Sequence, residues 1–283
     1  MRHRRAFTSR LLLEVGKASL AVLIALILSP AVSGQTGTTA SARSDAADNE
    51  YQTGAVVWTQ SSAEARALRY QAFTLARLML DRDLKTNHHS SRRRAVIADV
   101  DETVLDNSRY QAELILKHEP YSSASWTAWC ERAEAGALPG AVEFLRYAAS
   151  RRVRVFYVTN RRQAEKAATI ANLKQLDLPD VNEQTIMVRI DGASKESRRQ
   201  EISRQYRIVL LLGDNLADFS NVFEGKTTEE RAAAVDAARK KFGTQFIILP
   251  NPMYGDWEAA IYGYASTLTE EEKATRRKSA LKH

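Results

Sequence analysis

Ala95-Val96-Ile97-Ala98-Asp99-Val100-Asp101-Glu102-Thr103 is the stretch on which the fold turns. A short apolar run that ends on an acid reads as a strand buried on both faces, the pattern of a parallel sheet. Comparable runs follow along the chain. Val153 to Thr159 is one, Thr185 to Val188 a second, Ile208 to Asp214 a third and Phe246 to Leu249 a fourth. Helical patterns lie upstream and between them. Ala65, Leu68, Ala72, Leu75 and Met79 recur at steps of three and four within about 62–84, with Ser61 and Glu64 as a capping pair. Further helices are expected at about 163–175 and 228–242, and Thr269-Glu270-Glu271-Glu272 is another capping box. Strands alternating with helices predict an α/β fold, a parallel sheet with helices on both faces.

Ligands of such sheets bind at the carboxyl ends of the strands. Asp99, Asp101, Thr159, Asn160, Asp214 and Asp218 all fall at or just past those ends, so one crevice is expected to collect them. Two carboxylates two residues apart repel each other, and a divalent cation is the obvious relief. Crowding also separates their titrations, so that one is ionised while the other holds a proton. Phosphate-ester hydrolysis needs that division. Asp99 would attack phosphorus; Asp101 would protonate the leaving oxygen and later deprotonate water. Taken alone, Asp-x-Asp-Glu also fits an acidic loop or a helix N-terminus.

The later segments add weight. Thr159-Asn160 offers a hydroxyl and an amide to a phosphoryl group, and Lys195 a positive charge, although a surface lysine is its bland alternative. Gly213-Asp214-Asn215-Leu216-Ala217-Asp218 carries two acids four apart, on one side of a helical turn. Asp214 suits direct magnesium ligation. Asp218 suits holding the metal's waters or Lys195.

In that order the motifs resemble those of the haloacid-dehalogenase-like superfamily. The wording of Ala98–Asn107, Phe156–Arg161, Gly213–Phe219 and Leu249–Glu258 is similar to that of bacterial class C acid phosphatases, over about Val56 to Tyr264. The resemblance implies a Rossmann-like sheet with a small, mostly helical cap. It implies Mg²⁺ held by the Asp99 carboxylate, the Asp101 backbone carbonyl and the Asp214 carboxylate. The implied activity is hydrolysis of phosphomonoesters at acidic pH, often nucleoside 5′-monophosphates. Trp126 and Tyr254 would then clasp the organic group, stacking in a way that tolerates different bases; Trp126 as a core residue is the competing reading. Many members are dimers, so a homodimer is an open option. Many are also lipoproteins, and here the chain departs, having no cysteine near its expected cleavage region.

Arg2, Arg4, Arg5 and Arg10, the apolar run Ala18–Leu28, Pro30 and the small residues Ala31, Ser33 and Gly34 follow the order of a secretory signal. An uncleaved anchor and a twin-arginine signal are its alternatives. The expected organisation is a signal peptide over 1–34, a linker over 35–55, a phosphatase domain with cap over 56–268 and a basic tail over 269–283. The mature form would be periplasmic or secreted and free of the membrane. The net charge of +7 comes largely from the signal, where five basic residues stand against Glu14, so it does not argue for binding a nucleic-acid polymer. The single cysteine, Cys130, allows no internal disulfide. His88-His89 reads as loop rather than metal site. Gly225-Lys226-Thr227 lacks the earlier glycine of a P-loop, and no nucleophile-elbow serine is present. A receiver-like signalling domain would not carry Asp101. A phosphotransferase, or a secreted binding protein on the same scaffold, stays open as an alternative to hydrolysis of a small-molecule phosphomonoester.

Overall fold

The computed structural model describes residues 49–87, 91–190, 192 and 194–282. The expected signal segment, most of the expected linker and His88-His89 lie outside the described residues. Among the described residues, no helix is long and apolar enough to cross a membrane.

Two helices come first, α1 (Thr53–Ser61) and α2 (Ala63–Thr86). Helix α1 begins inside the stretch read as linker. Its only buried residues are Val56 and Thr59, too sparse a stripe to stand out. The cap of α2 is Ser62, one residue later than expected, whose hydroxyl accepts the Ala65 N–H at 2.9 Å. The apolar run 95–98 then forms the end of β1 (Arg93–Ala98), fully inside the molecule.

The next segment leaves the sheet. It contains β2 (Leu105–Asp106), α3 (Ser108–Lys117), α4 (Ser123–Arg132) and β3 (Gly136–Ala137), with β2 and β3 paired as an antiparallel ribbon. This is the small, mostly helical cap, returned to the body by α5 (Ala141–Ser150). The remainder alternates β4 (Arg154–Val158), α6 (Lys166–Gln175), β5 (Ile186–Met187), α7 (Lys195–Gln205), β6 (Tyr206–Gly213), α8 (Thr228–Ala238) and β7 (Phe246–Ile248). It closes with α9 (Asp256–Ile261) and α10 (Glu270–Ser279). Helix α10 occupies the stretch expected as a basic tail, and its predicted capping box at Thr269 and Glu272 is formed.

The main sheet has five strands in the order β5-β4-β1-β6-β7, and every pairing in it is parallel. The chain winds outward from β1 in one direction and then the other, so the order reverses at β1. That reversal opens a crevice at its carboxyl end. One apolar layer, with Leu80, Val96, Leu145 and Leu212, lies between the sheet and α2 and α5. The other, with Ile97, Phe156, Ile202 and Phe246, lies under α7. Asp99 and its neighbours emerge between these layers.

Candidate active site

The Asp99 N–H donates to the Leu212 carbonyl at 2.9 Å, which continues the sheet ladder by one residue and anchors the side chain at the crevice floor. Lys195, the first residue of α7, reaches it there. Its ammonium bonds the Asp99 carboxylate and, at 2.6 Å, Asp218 Oδ1. All three side chains are buried. Burial alone would lower the Lys195 pKa, but Asp218 and Asp99 outweigh it and raise it. Asp99 is raised as well: burial pushes it up, and Lys195, shared with Asp218, does not fully offset that.

Asp218 is aimed by a glycine. A Cβ at Gly213 would lie 2.4 Å from Asp218 Cβ and from its Oδ2. The absence of that atom lets the carboxylate fold back over the strand end and accept the Asn215 N–H at 2.9 Å. The turn that brings it round is a 3₁₀ turn over Leu216–Asp218, tighter than the α-helical turn implied by the spacing.

Asp101 is held on the other side of the crevice. Arg161 forks onto it, Nη2 at 2.8 Å and Nε at 3.0 Å from Oδ1, while Asn107 Nδ2 donates at 2.9 Å. Asn107 is itself fixed by the Trp129 indole N–H at 2.8 Å and by Glu102, which accepts the Asn107 backbone N–H at 2.8 Å. Glu102 adopts φ 58°, a left-handed turn that sends its side chain inward beside its neighbour. Burial, followed by Asp101 and Asp214, pushes the Glu102 carboxyl up. Thr159 is wholly buried. Its hydroxyl faces Asp101 Oδ2 at 3.3 Å and accepts the Arg161 N–H at 3.0 Å. Arg161 is the residue that motif reading passed over. Its signal was its place directly after Thr159-Asn160, with an otherwise unbalanced acid to meet.

Asp214 completes the acidic group. Asn251 Nδ2 donates to its Oδ2 at 2.8 Å, and Thr103 Oγ1 lies 3.5 Å from its Oδ1. Burial, then Asp218 and Asp99, push it well above the usual carboxylate range. One oxygen each of Asp99, Asp214 and Asp218 lies within 4.8 Å of the others. Among the described residues, Lys195 is the single cation paired with this group of three carboxylates, so the donor set fits a hard divalent cation. The cluster takes in Asp218, to which the sequence reading gave only an indirect part, whereas the carboxylate of Asp101 is turned to Arg161.

Asp99, Asp101, Asn160, Lys195, Asp214 and Asp218 share one cavity of about 620 Å³ with Trp126 and Tyr254. Thr159 lies behind its wall. Asn160 Oδ1 accepts from Arg198 at 3.3 Å, which fixes its amide. Trp126 stands on α4 edge-on to Tyr110, at 5.2 Å between ring centres, with the Arg161 guanidinium 5.4 Å from its own. A larger, mostly apolar hollow of about 810 Å³ between α2, α8 and β7 reaches Asp214 but not Asp99, Asp101 or Lys195. The candidate catalytic residues gather in the smaller one.

Fold and crevice together place the chain among the haloacid-dehalogenase-like phosphohydrolases. Within them it belongs to the acid phosphatases of subfamily IIIB: the family model described as HAD superfamily, subfamily IIIB (Acid phosphatase) matches residues 30–257. Two solved structures of the class C acid phosphatase from Bacillus anthracis, one with tungstate bound, are each 39% identical to it. Each match covers 83% of this chain and 98% of that one, with a TM-score of 0.80. The protein is thus an acid phosphatase, a phosphomonoester hydrolase.

Proposed function

We infer that the enzyme works through a phosphorylated Asp99, with Mg²⁺ as its metal and nucleoside 5′-monophosphates among its substrates. The observation that carries this reading is the separate anchoring of the two acids. Asp99 is bonded to Lys195, while Asp101 is clamped by Arg161 and Asn107. Each can therefore keep its own task.

An Asp99 oxygen attacks phosphorus in line, and the ester P–O bond breaks. Asp101 delivers a proton to the departing alcohol oxygen, then takes one from a water. That water attacks phosphorus, the bond to Asp99 breaks and inorganic phosphate leaves. Lys195 holds Asp99 in place and faces the negative phosphoryl oxygens, with Asn160 beside them. Asp99, Asp214 and the Asp101 carbonyl would hold Mg²⁺, which when bound supplies charge neutralisation for those oxygens. The cluster of one oxygen each from Asp99, Asp214 and Asp218 supports that site and leaves Asp218 a choice between ligand and partner of Lys195. Trp126 and Tyr254, which both line the cavity, would take the base between them. The tungstate complex of the Bacillus anthracis protein is in keeping with this, since tungstate is a phosphate-like oxyanion. Residues 1–34 would direct export, with 56–268 as the working domain.

Phosphate release with and without Mg²⁺, on nucleoside 5′-monophosphates, a sugar phosphate and an aryl phosphate, tests the reading. Metal-dependent turnover that collapses in Asp99→Asn is expected. Turnover that survives in Asp99→Asn would name the wrong nucleophile.

A further inference from the structure

Among the described residues, four cations line the candidate active cavity: Arg161, Arg189, Lys195 and Lys273. Three are committed. Arg161 is on Asp101, Lys195 on Asp99 and Asp218, and Lys273 on Glu270 at 2.7 Å. The side chain of Arg189 has no acceptor among the described residues. It is exposed at the cavity rim, just past β5, between buried Val188 and exposed Ile190. Its backbone is not loose, because its N–H donates at 2.8 Å to the carbonyl of Arg161. A guanidinium is always charged and presents a planar fork suited to phosphate or carboxylate.

The tie to Arg161 decides which part of a substrate it meets. Arg161 holds Asp101, and Asp101 serves the leaving oxygen. The phosphoryl group meets Asp99 and Lys195 on the other side. Asp256, Glu258 and Glu270 also line the cavity, and Lys273 beside them is taken up by Glu270. Among the described residues, a second negative group on the substrate would find an uncommitted cation at Arg189 alone.

The geometry points to Arg189 as a specificity-determining residue that favours phosphomonoesters whose alcohol part carries a second anionic group, a phosphate or a carboxylate. This rests on the phosphomonoesterase reading of the same cavity.

The test compares kcat/KM of the wild type and Arg189→Gln on phenyl phosphate, a nucleoside 3′,5′-bisphosphate and 3-phosphoglycerate. One charge-assisted contact predicts that the ratio of doubly anionic to phenyl substrate falls about tenfold, mostly in KM. Arg189→Lys should recover part of it, and added salt should shrink the difference. The two anionic substrates show whether phosphate or carboxylate is preferred. An equal fall on all substrates would put Arg189 on the transferred phosphoryl group and overturn the inference, as would an unmoved ratio. Binding of the bisphosphate against the 5′-monophosphate, measured as Kd in Asp99→Asn protein with and without Arg189→Gln, reads the same preference without turnover. Lost turnover with that preference kept would fault the chemistry alone.

Discussion

At the scale of single residues, Gly213 constrains the site as tightly as any acid. The space of its missing side chain is filled by Asp218, at 2.4 Å from where a Cβ would be. Alanine there must displace either the strand end or the carboxylate that holds Lys195 and caps Asn215. Gly213→Ala is therefore expected to destabilise by about 1–3 kcal/mol, as overpacking does. Activity should fall further than stability explains, by about tenfold or more, because Lys195 loses its second anchor. Thermal unfolding and steady-state kinetics on the same preparation check this. Wild-type kcat in a folded Gly213→Ala protein would mean that the position of Asp218 is immaterial. Gly213 was in plain view in the motif, but its reason was not: only the three-dimensional return of the chain shows which atom needs the space. Arg161 escaped similarly. Asp99, Asp101, Asp214 and Asp218 could be named as candidates from spacing because acids past strand ends have few alternative uses, whereas Lys195 stood out only in the order of the motifs. An arginine has many, until its acceptor is known.

At the scale of elements, the strands were legible and the peripheral helices less so. Continuous apolar runs such as Ala95–Ala98 and Val209–Leu212 can satisfy burial on both faces in one way only. The run at 185–188 became a two-residue edge strand, since pairing on one side supports less. Helix α1 has too few buried positions to show a period. Helix α2 was legible, yet what seats its far end is electrostatic. Asp83 near its end bonds Arg94 of β1 at 2.8 Å and Arg207 of β6 at 2.7 and 2.6 Å. Burial would raise the Asp83 pKa, but Arg207 and Arg94 overrule it and lower it. A depressed carboxyl stabilises the folded state fully above its unfolded pKa, about 3.9, and loses that contribution as pH falls through the folded value. Asp83→Asn is thus expected to cost about 1–2 kcal/mol at neutral pH, because part of the cluster is open to water. The gap to wild type should narrow below about pH 4. Denaturant unfolding at several pH values measures it; a gap that widens in acid would contradict the ion-pair account. The sign suits an acid phosphatase, since the joint holds until the medium is more acidic than an ordinary carboxylate.

At the scale of the whole molecule, the candidate acidic site opposes the stability of the fold that carries it. Asp99 and Asp218 are buried and Asp214 half-buried beside one lysine, and the pKa of both Asp99 and Asp214 is raised, by desolvation first and by their acidic neighbours next. Without a cation, that repulsion weakens the folded chain; with one, the same oxygens become an attraction. Binding only to the folded form should add about 2.7 kcal/mol when the metal is at a hundred times its Kd. In a chain of this size that is a rise of several degrees in Tm. Asp214→Asn separates the two halves of the argument. Removing one of the crowded acids should leave the metal-free Tm level with wild type or above it, abolish the rise on adding Mg²⁺, and abolish turnover. Unfolding followed with chelator and then with Mg²⁺ distinguishes the outcomes. If wild type shows no metal response and Asp214→Asn simply unfolds earlier, the carboxylates are structural partners and the cation has no place among them. If the variant is as stable as expected yet inert, the fold tolerates its crowded acids because the chemistry requires them, with the cation joining the two.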